Sequence, residues 1–397
     1  MARLEVRGQG QVSMNTFLRL PTHNAMSMRS ASWRGEAVPG VSRRLTVKPR
    51  KSQLSRPTVT VIIPCYNYAR YLSAAVESAL SQDGVNVDVV VVDDASTDES
   101  LRVAQQFAAN DARVRVIGHR TNAGPVQTFN DGLAIAQGEF LVRLDADDIL
   151  TPGALKRATD VMSSFPSVGL VYGHPLHFSG GKFPVPRTTA RRWTIWPGRE
   201  WLADRCKTAW NVITSPEVLM RRSVVDRVGG QKELAHSHDM EMWLRLSAYS
   251  DVAYIHGADQ AWHREHNKSL STGVDSLNDF HERRAAFDVL FAGIVGTIPE
   301  AATLRASATL ALSRYCLEVS SRLYDHRKVD LEQVELMVDL AREIVPNLEQ
   351  VPGWRGLKWR MAVGPGKAAC HPIFFLERLY RGLRGRWRKL RWHRTGY

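Results

Sequence analysis

Cysteine is scarce in this chain: 4 in 397 residues (Cys65, Cys206, Cys316 and Cys370), far apart and with no CxxC pair. That spacing argues against a disulfide framework or a zinc ribbon and for a reducing compartment. Long apolar runs are missing too. No stretch reaches the roughly 18 uncharged apolar residues a membrane-spanning helix needs. The first residues lack the apolar segment of a secretory leader, so the expectation is a cytoplasmic protein. No internal repeat is present. What is present is 44% apolar residues, enough for a sizeable core and too many for wholesale disorder. The length fits one large domain with extensions, or two smaller domains.

Acidic residues are missing from the two ends. The chain carries 53 Lys and Arg against 40 Asp and Glu, a net of +13. Residues 1–56 hold eleven basic residues and two acidic ones, and residues 354–397 hold twelve and one. Those ends carry +9 and +11, which leaves −7 for the middle. The centre is therefore a mildly acidic globule, and a nucleic-acid partner is not expected: no DNA- or RNA-binding motif accompanies the basic tails.

Residues 1–56 show no period of 2 or 3.6 and read as a disordered basic leader. From residue 58 short β-branched runs alternate with helical patterns. TVTVIIP (58–64), VDVVVVD (87–93), RVRVIG (113–118), EFLVRLD (139–145) and VGLVYG (168–173) read as strands. Helices are expected at about 71–80, 98–109, 125–137 and 152–164. Such alternation implies right-handed crossovers and a mostly parallel sheet covered on both faces, with ligands beyond the carboxyl ends of the strands. A Pro-, Arg- and Trp-rich stretch follows 174. Order returns with a strand near 217–220, a helix from about Asp239 and a strand at 252–256. Residues 280–345 read as entirely helical. The expected divisions are the leader (1–56), an α/β domain (57–275), a helical extension (276–350) and a basic tail (351–397).

The strand ends are where chemistry is expected. The second expected strand (87–93) ends in DDASTDES (93–100). Ser96 or Asp98 can cap the next helix, whereas Asp93 and Asp94 can accept a base N–H or ribose hydroxyls. The strand at 139–145 runs into DADD (145–148), three carboxylates in four residues. Either they cap the following helix, or a hard cation such as Mg²⁺ or Mn²⁺ neutralises them while bridging a diphosphate. Between the two, Arg120 and a helix start near Gly124 either face phosphates or simply make the turn.

In this order the segments VTVIIPCYNYARYLSAAVESALSQ, VDVVVVDDASTDES, NAGPVQTFNDGLAIAQGEFLVRLDADD and HSHDMEMWLRL resemble the family 2 glycosyltransferases over about residues 58–272. The resemblance implies an α/β GT-A fold, a Rossmann-like and mostly parallel sheet flanked by helices, with a C-terminal helical extension. It also implies an inverting transfer of one sugar from a nucleotide-diphosphate sugar to a hydroxyl acceptor, for cell-surface polysaccharide or glycolipid synthesis. Pro64 and Tyr66 would line the nucleotide pocket, Asp94 would read the base, and Arg120 would join the donor site. Asp145 would bind ribose, and Asp147 the metal-bound diphosphate. Asp239 would be the general base, preceded here by His238 where the family has Glu. Within WHREHNKSLS (262–271), Arg264, His266, Ser269 and Ser271 match a loop that contacts diphosphate and metal, with His266 as a metal ligand. The processive signature Gln-x-x-Arg-Trp is absent, since Gln260 precedes Ala-Trp-His. An inactive sugar-nucleotide-binding module on the same fold is the competing reading.

In the tail, Leu376, Leu379, Leu383, Trp387 and Leu390 share one helical face, with arginines largely off it. A basic amphipathic helix of this kind suits an anionic membrane surface, and an oligomer contact is the alternative.

Overall fold

A computed structural model describes residues 40–50, 56–266 and 275–395 of the chain. The alternation read from the sequence becomes β2 (Thr58–Cys65), α1 (Ala69–Leu80), β3 (Asn86–Asp93), α2 (Ser100–Asn110), β4 (Val114–Gly118), α3 (Gly124–Ile135) and β5 (Phe140–Arg143), preceded by β1 (Leu45–Val47). The chain continues through β6 (Ile149–Leu150), α4 (Ala154–Ser164), β7 (Val168–Phe178), β8 (Arg192–Trp196), α5 (Gly198–Cys206), β9 (Leu219–Arg221), α6 (Arg222–Val228), α7 (His238–Ser247) and β10 (Asp251–Arg264). The strands form one mixed sheet in the order β1-β8-β10-β7-β9-β5-β2-β3-β4, with β6 paired to β10. The β5-β2-β3-β4 portion is parallel throughout, so the carboxyl ends of its strands share one edge.

Alternation along β2 builds the layers. Val61 and Ile63 pack on one face with α1, α2 and α4, while Ile62 packs on the other with Phe129 of α3 and Trp243 of α7. Helix α3 approaches β2 so closely that a Cβ at Gly132 would lie 2.5 Å from Ile62. The second face continues into α8 (Ser276–Ala292), α9 (Ala301–Leu323), α10 (Leu331–Ile344), α11 (Trp354–Val363), α12 (Lys367–Cys370) and α13 (Pro372–Thr395). The segment read as entirely helical is thus three helices with breaks between them.

The leader expected as disordered through residue 56 differs in its described part. Leu45–Val47 pairs antiparallel with Trp193–Ile195, and the Val41 N–H donates to the buried Asp251 carboxylate at 2.7 Å. Three extended residues satisfied by an exposed sheet edge carry too little periodicity to announce themselves. Residues 1–39 and 51–55 lie outside the described residues. The Arg- and Trp-rich stretch after 174 likewise yields β8, whose Trp193 and Trp196 are fully buried.

A buried ion pair secures α7, the helix that carries Asp239. Glu241 accepts from Arg245 at 2.8 Å through both oxygens, and Arg245 also donates to the carbonyls of Val228, Gly229 and Gly230. Removing the carboxylate strands a buried guanidinium, so Glu241→Ala should cost about 3–5 kcal/mol. Urea denaturation measures it; an unchanged midpoint would show that the pair does not hold the helix.

Candidate active site

The carboxyl edge of β2, β3 and β5 gathers most of the expected residues. At the end of β2, Pro64 is half-buried and Tyr66 exposed, and Asn67 (φ 59°) accepts from the N–H groups of Thr97 and Asp98. This stitches the loop after β2 to the loop after β3. Asp98 serves the start of α2 by accepting from the Ser100 N–H at 2.9 Å, while Ser96 Oγ accepts from the Asn67 N–H instead.

The two aspartates at the end of β3 are engaged differently. Asp94, expected to read a base, is buried and committed: its carboxylate accepts from the N–H of Ala123 (2.7 Å) and of Gly124 (2.9 Å), and meets His119 Nδ1 at 2.8 Å. It holds the amino end of α3, where Gly124 takes φ +85°. Asp93 is as deeply buried, and its Oδ1 has no hydrogen-bond partner. An unpartnered buried carboxylate oxygen is costly unless a ligand supplies the donor. Arg120 is exposed just beyond β4.

After β5, the acidic cluster is sorted by its neighbours. Arg143, itself buried, holds Asp145 at 3.0 Å and donates to Gln231 at 2.9 Å. Burial opposes ionisation of Asp145, but Arg143 outweighs it and keeps the carboxyl below its usual range. Asp147 lies 2.8 Å from His266 Nε2, and burial followed by repulsion from Asp145 lifts its carboxyl. Asp148 accepts from the Arg264 N–H at 2.8 Å and meets His263 Nδ1 at 3.1 Å. Burial works against protonation of His263, yet the Asp148 charge prevails and pushes the imidazole up to about 9. None of these aspartates caps α4, which follows Gly153. The Arg264 guanidinium lies 4.3 Å from the Tyr71 ring and 4.5 Å from the Phe178 ring, and it donates to the Asp147 carbonyl. Ser269 and Ser271 lie outside the described residues.

Asp239 closes the site from α7. The helix begins at His238, so Asp239 lies in its first turn, where its Oδ1 accepts from the Met240 N–H at 2.6 Å. Its Oδ2 accepts from Ser215 Oγ at 3.1 Å, and burial lifts the carboxyl to about 6. Arg143 acts electrostatically on Asp145, His238 and Asp239 alike, which places the end of β5 and the start of α7 in one cleft. Ser215, with φ 121°, precedes Pro216, and a residue before proline is expected to be extended. No sequence signal marked it, nor Glu217 beside it, a buried acid pushed up to about 7 by burial. Arg143 was legible only as part of a strand.

Asp147 and His266 are the pair able to hold a cation. Among the described residues no group of three His, Cys, Asp or Glu side chains could hold one. A cation here would take two protein donors and complete its shell with phosphate oxygens and water, the way Mg²⁺ usually binds. The pair therefore fits a substrate-borne metal rather than a closed protein cage.

Residues 60–229 match the model of Glycosyl transferase family 2. That stretch is a family 2 glycosyltransferase domain. A 116-residue stretch is 37% identical to chondroitin synthase of Escherichia coli, covering 29% of this chain and 17% of that protein. A 122-residue stretch is 36% identical to hyaluronan synthase of Pasteurella multocida, covering 30% and 12%. The chain thus spans less than a fifth of either synthase. The crystal structure of S. aureus TarS 1-349 in complex with UDP-GlcNAc superposes with a TM-score of 0.55 at 19% identity, covering 82% of this chain and 92% of that one. The likeness establishes the GT-A fold.

Glu217 generates a stability prediction. Its folded pKa near 7 exceeds the usual acid value, so the native state binds the proton more tightly than the unfolded chain. Its contribution is full below about pH 4 and is lost as pH rises through 7. Glu217→Gln should flatten the fall in stability between pH 5 and 8, read by thermal melts across that range. Parallel pH profiles for the two proteins would contradict it.

Proposed function

We propose that this domain transfers one sugar from a nucleotide-diphosphate sugar to an acceptor hydroxyl, inverting the anomeric configuration. The observation that carries the reading is Asp239: a carboxylate raised to about 6, oriented by Ser215, and sharing the field of Arg143 with Asp145. A base with that pKa is ionised at neutral pH yet basic enough to take a hydroxyl proton. The acceptor oxygen then attacks the anomeric carbon as the bond to the diphosphate breaks, and the proton ends on Asp239. One displacement inverts.

On the donor side, Pro64 and Tyr66 border the nucleotide, and Asp145, held by Arg143, receives the ribose. Base reading falls to Asp93, whose Oδ1 lacks a partner, rather than to Asp94. The exposed Arg120 faces the donor phosphates. Asp147 and His266 would hold Mg²⁺ or Mn²⁺, which would supply positive charge to a departing diphosphate. Arg264 shapes that loop through its contacts with Tyr71 and the Asp147 carbonyl. The absence of Gln-x-x-Arg-Trp supports single additions, and the synthase relatives support a role in polysaccharide or glycolipid synthesis. The acceptor is a hydroxyl on a glycan, lipid-linked and presented at the cytoplasmic face of an anionic membrane. Intact acids at Asp145, Asp147 and Asp239 weigh against an inactive binding module.

Asp239→Asn should keep donor binding and lower turnover by roughly 10²-fold or more, the scale of losing a general base. Turnover of the unaltered protein should fall as pH drops through about 6, where the base protonates. Ser215→Ala removes a hydrogen bond that favours the carboxylate, so the acid limb should move to higher pH. A screen of nucleotide sugars for hydrolysis and transfer supplies the assay; near-normal transfer by Asp239→Asn sinks the assignment.

The metal pair has its own test. Asp147→Ala should abolish the part of nucleoside-diphosphate binding that depends on Mn²⁺, followed by calorimetry with and without the ion. An unchanged metal dependence in the variant would remove Asp147 from the metal site.

A further inference from the structure

Helix α13 meets the protein through residues off its apolar stripe. Its arginines engage the body: Arg378 donates to the Asp325 carbonyl at 2.9 Å, and Arg381 pairs with Asp325 and Glu377. Phe374 is buried against Trp359 and Arg360 at the amino end. At the carboxyl end the Trp392 indole N–H donates to the Val212 carbonyl at 2.9 Å, and His393 lies 2.8 Å from His174. Pinned at both ends, the helix exposes the apolar stripe itself. Leu376, Leu379, Leu383, Trp387 and Leu390 are between 49% and 64% exposed. A contiguous apolar surface of this kind is an interaction site rather than ordinary exposure.

Beside the stripe lies a cavity of about 370 Å³ between α9, α11 and α13. Arg314, Arg322, Arg381, Arg384 and Arg388 line it against the carboxylates of Glu318 and Glu377. Glu318 lies 3.6 Å from Arg314 and 3.8 Å from Arg322, while Glu377 is shared by Arg360 and Arg381. Among the described residues no ion pair engages Arg384, and the Arg388 guanidinium rests 5.2 Å from the Trp210 ring. Tyr380 both lines the cavity and is 62% exposed, so cavity and stripe adjoin.

We propose that α13 lies in the headgroup plane of an anionic bilayer, its stripe among the acyl chains and a phospholipid phosphate seated in the arginine-lined cavity. Charge selects the occupant. Residues 354–397 carry +11, so a second copy meeting stripe to stripe would bring like charges together. A nucleic acid would satisfy the arginines and leave the leucines in water. An anionic membrane satisfies both. The helix lies on the bilayer, since among the described residues no helix is long and apolar enough to cross one. Because Trp392 is fastened to Val212, close to Ser215, the contact also sets how the cleft faces the membrane. That last consequence rests on the transferase reading; the membrane contact does not.

The test is sedimentation of the full chain with vesicles of phosphatidylcholine alone or with phosphatidylglycerol added. Binding is expected only to the anionic vesicles, and salt should weaken it. Leu383→Glu with Trp387→Glu should abolish it; both side chains are exposed, so folding, followed by circular dichroism, should survive. Arg384→Gln with Arg388→Gln should weaken it roughly 30-fold, about 5-fold per charge. Free inorganic phosphate at millimolar concentration should not release the protein, since it lacks the acyl chains. Equal sedimentation of the stripe variant, or equal binding to neutral vesicles, overturns the proposal. So does a dimer in vesicle-free ultracentrifugation that the stripe variant converts to monomer. Nucleoside-diphosphate binding by the same variants, read by calorimetry, reports separately on the transferase reading and should be unchanged.

Discussion

The buried guanidinium of Arg143 is the constraint on which the cleft depends. A charge taken out of water at the end of β5 is tolerable only when its donors are matched, and here they are: Asp145 on one side and Gln231 on the other. Gln231 is in turn held by Asn130 of α3, with its N–H and carbonyl both engaged. One cation thereby joins the donor half of the sheet to the turn that leads into α7. The same turn receives Arg245 through three carbonyls. Two arginines, each paired with one acid, fix the distance between the aspartates after β5 and the aspartate on α7.

The remaining electrostatics follow from crowding. Asp145, Asp147, Asp148, Glu217 and Asp239 converge where water is scarce, and each must be paired, protonated or left for a ligand. Arg143 takes Asp145, and His263 with the Arg264 N–H takes Asp148. Glu217 accepts from the Thr214 N–H at 2.7 Å, and burial pushes its carboxyl up to about 7. Of the remaining two, Asp147 meets a histidine, and Asp239 accepts from a serine hydroxyl and from the Met240 N–H. These are the two acids that the proposed reaction assigns to the metal-bound diphosphate and to the attacking hydroxyl.

Much of this was legible in the sequence because it rests on periodicity. The buried strands Thr58–Cys65 and Asn86–Asp93 are unbroken β-branched runs, and the carboxylates that follow them are local in the chain. What escaped reading depends on distant partners. Asp93 and Asp94 are adjacent and chemically identical; only the approach of Ala123 and Gly124 decides that Asp94 is spent and Asp93 is not. Ser215 reaches Asp239 through a positive φ before a proline, against the local preference. The strand at Leu45–Val47 exists because β8 offers an edge, not because three residues specify it. In the tail the amphipathic pattern was correct, but which face meets the protein is decided by Asp325, Val212 and His174, far away in sequence.

His238 shows how the balance can be shifted without touching the base. Where the resemblance leads one to expect glutamate, a second carboxylate beside Asp239 would raise its pKa by repulsion. Here the neighbour is an imidazole that burial, with Arg143 adding repulsion, drives down to about 3, so it stays neutral at any physiological pH. Repulsion from that position is therefore absent, and burial, with a smaller contribution from the Asp145 charge, lifts Asp239 to about 6. The cleft holds one negative charge fewer next to Asp239. His238 Nδ1 is also buried without a partner, a polar atom that only a group entering the cleft can satisfy. An acceptor that donates a second hydroxyl, or accepts from the imidazole, would meet that atom. An ionised glutamate at this position would instead only accept, so on the proposed reading the exchange changes the hydrogen bonds offered to an acceptor and leaves Asp239 in place.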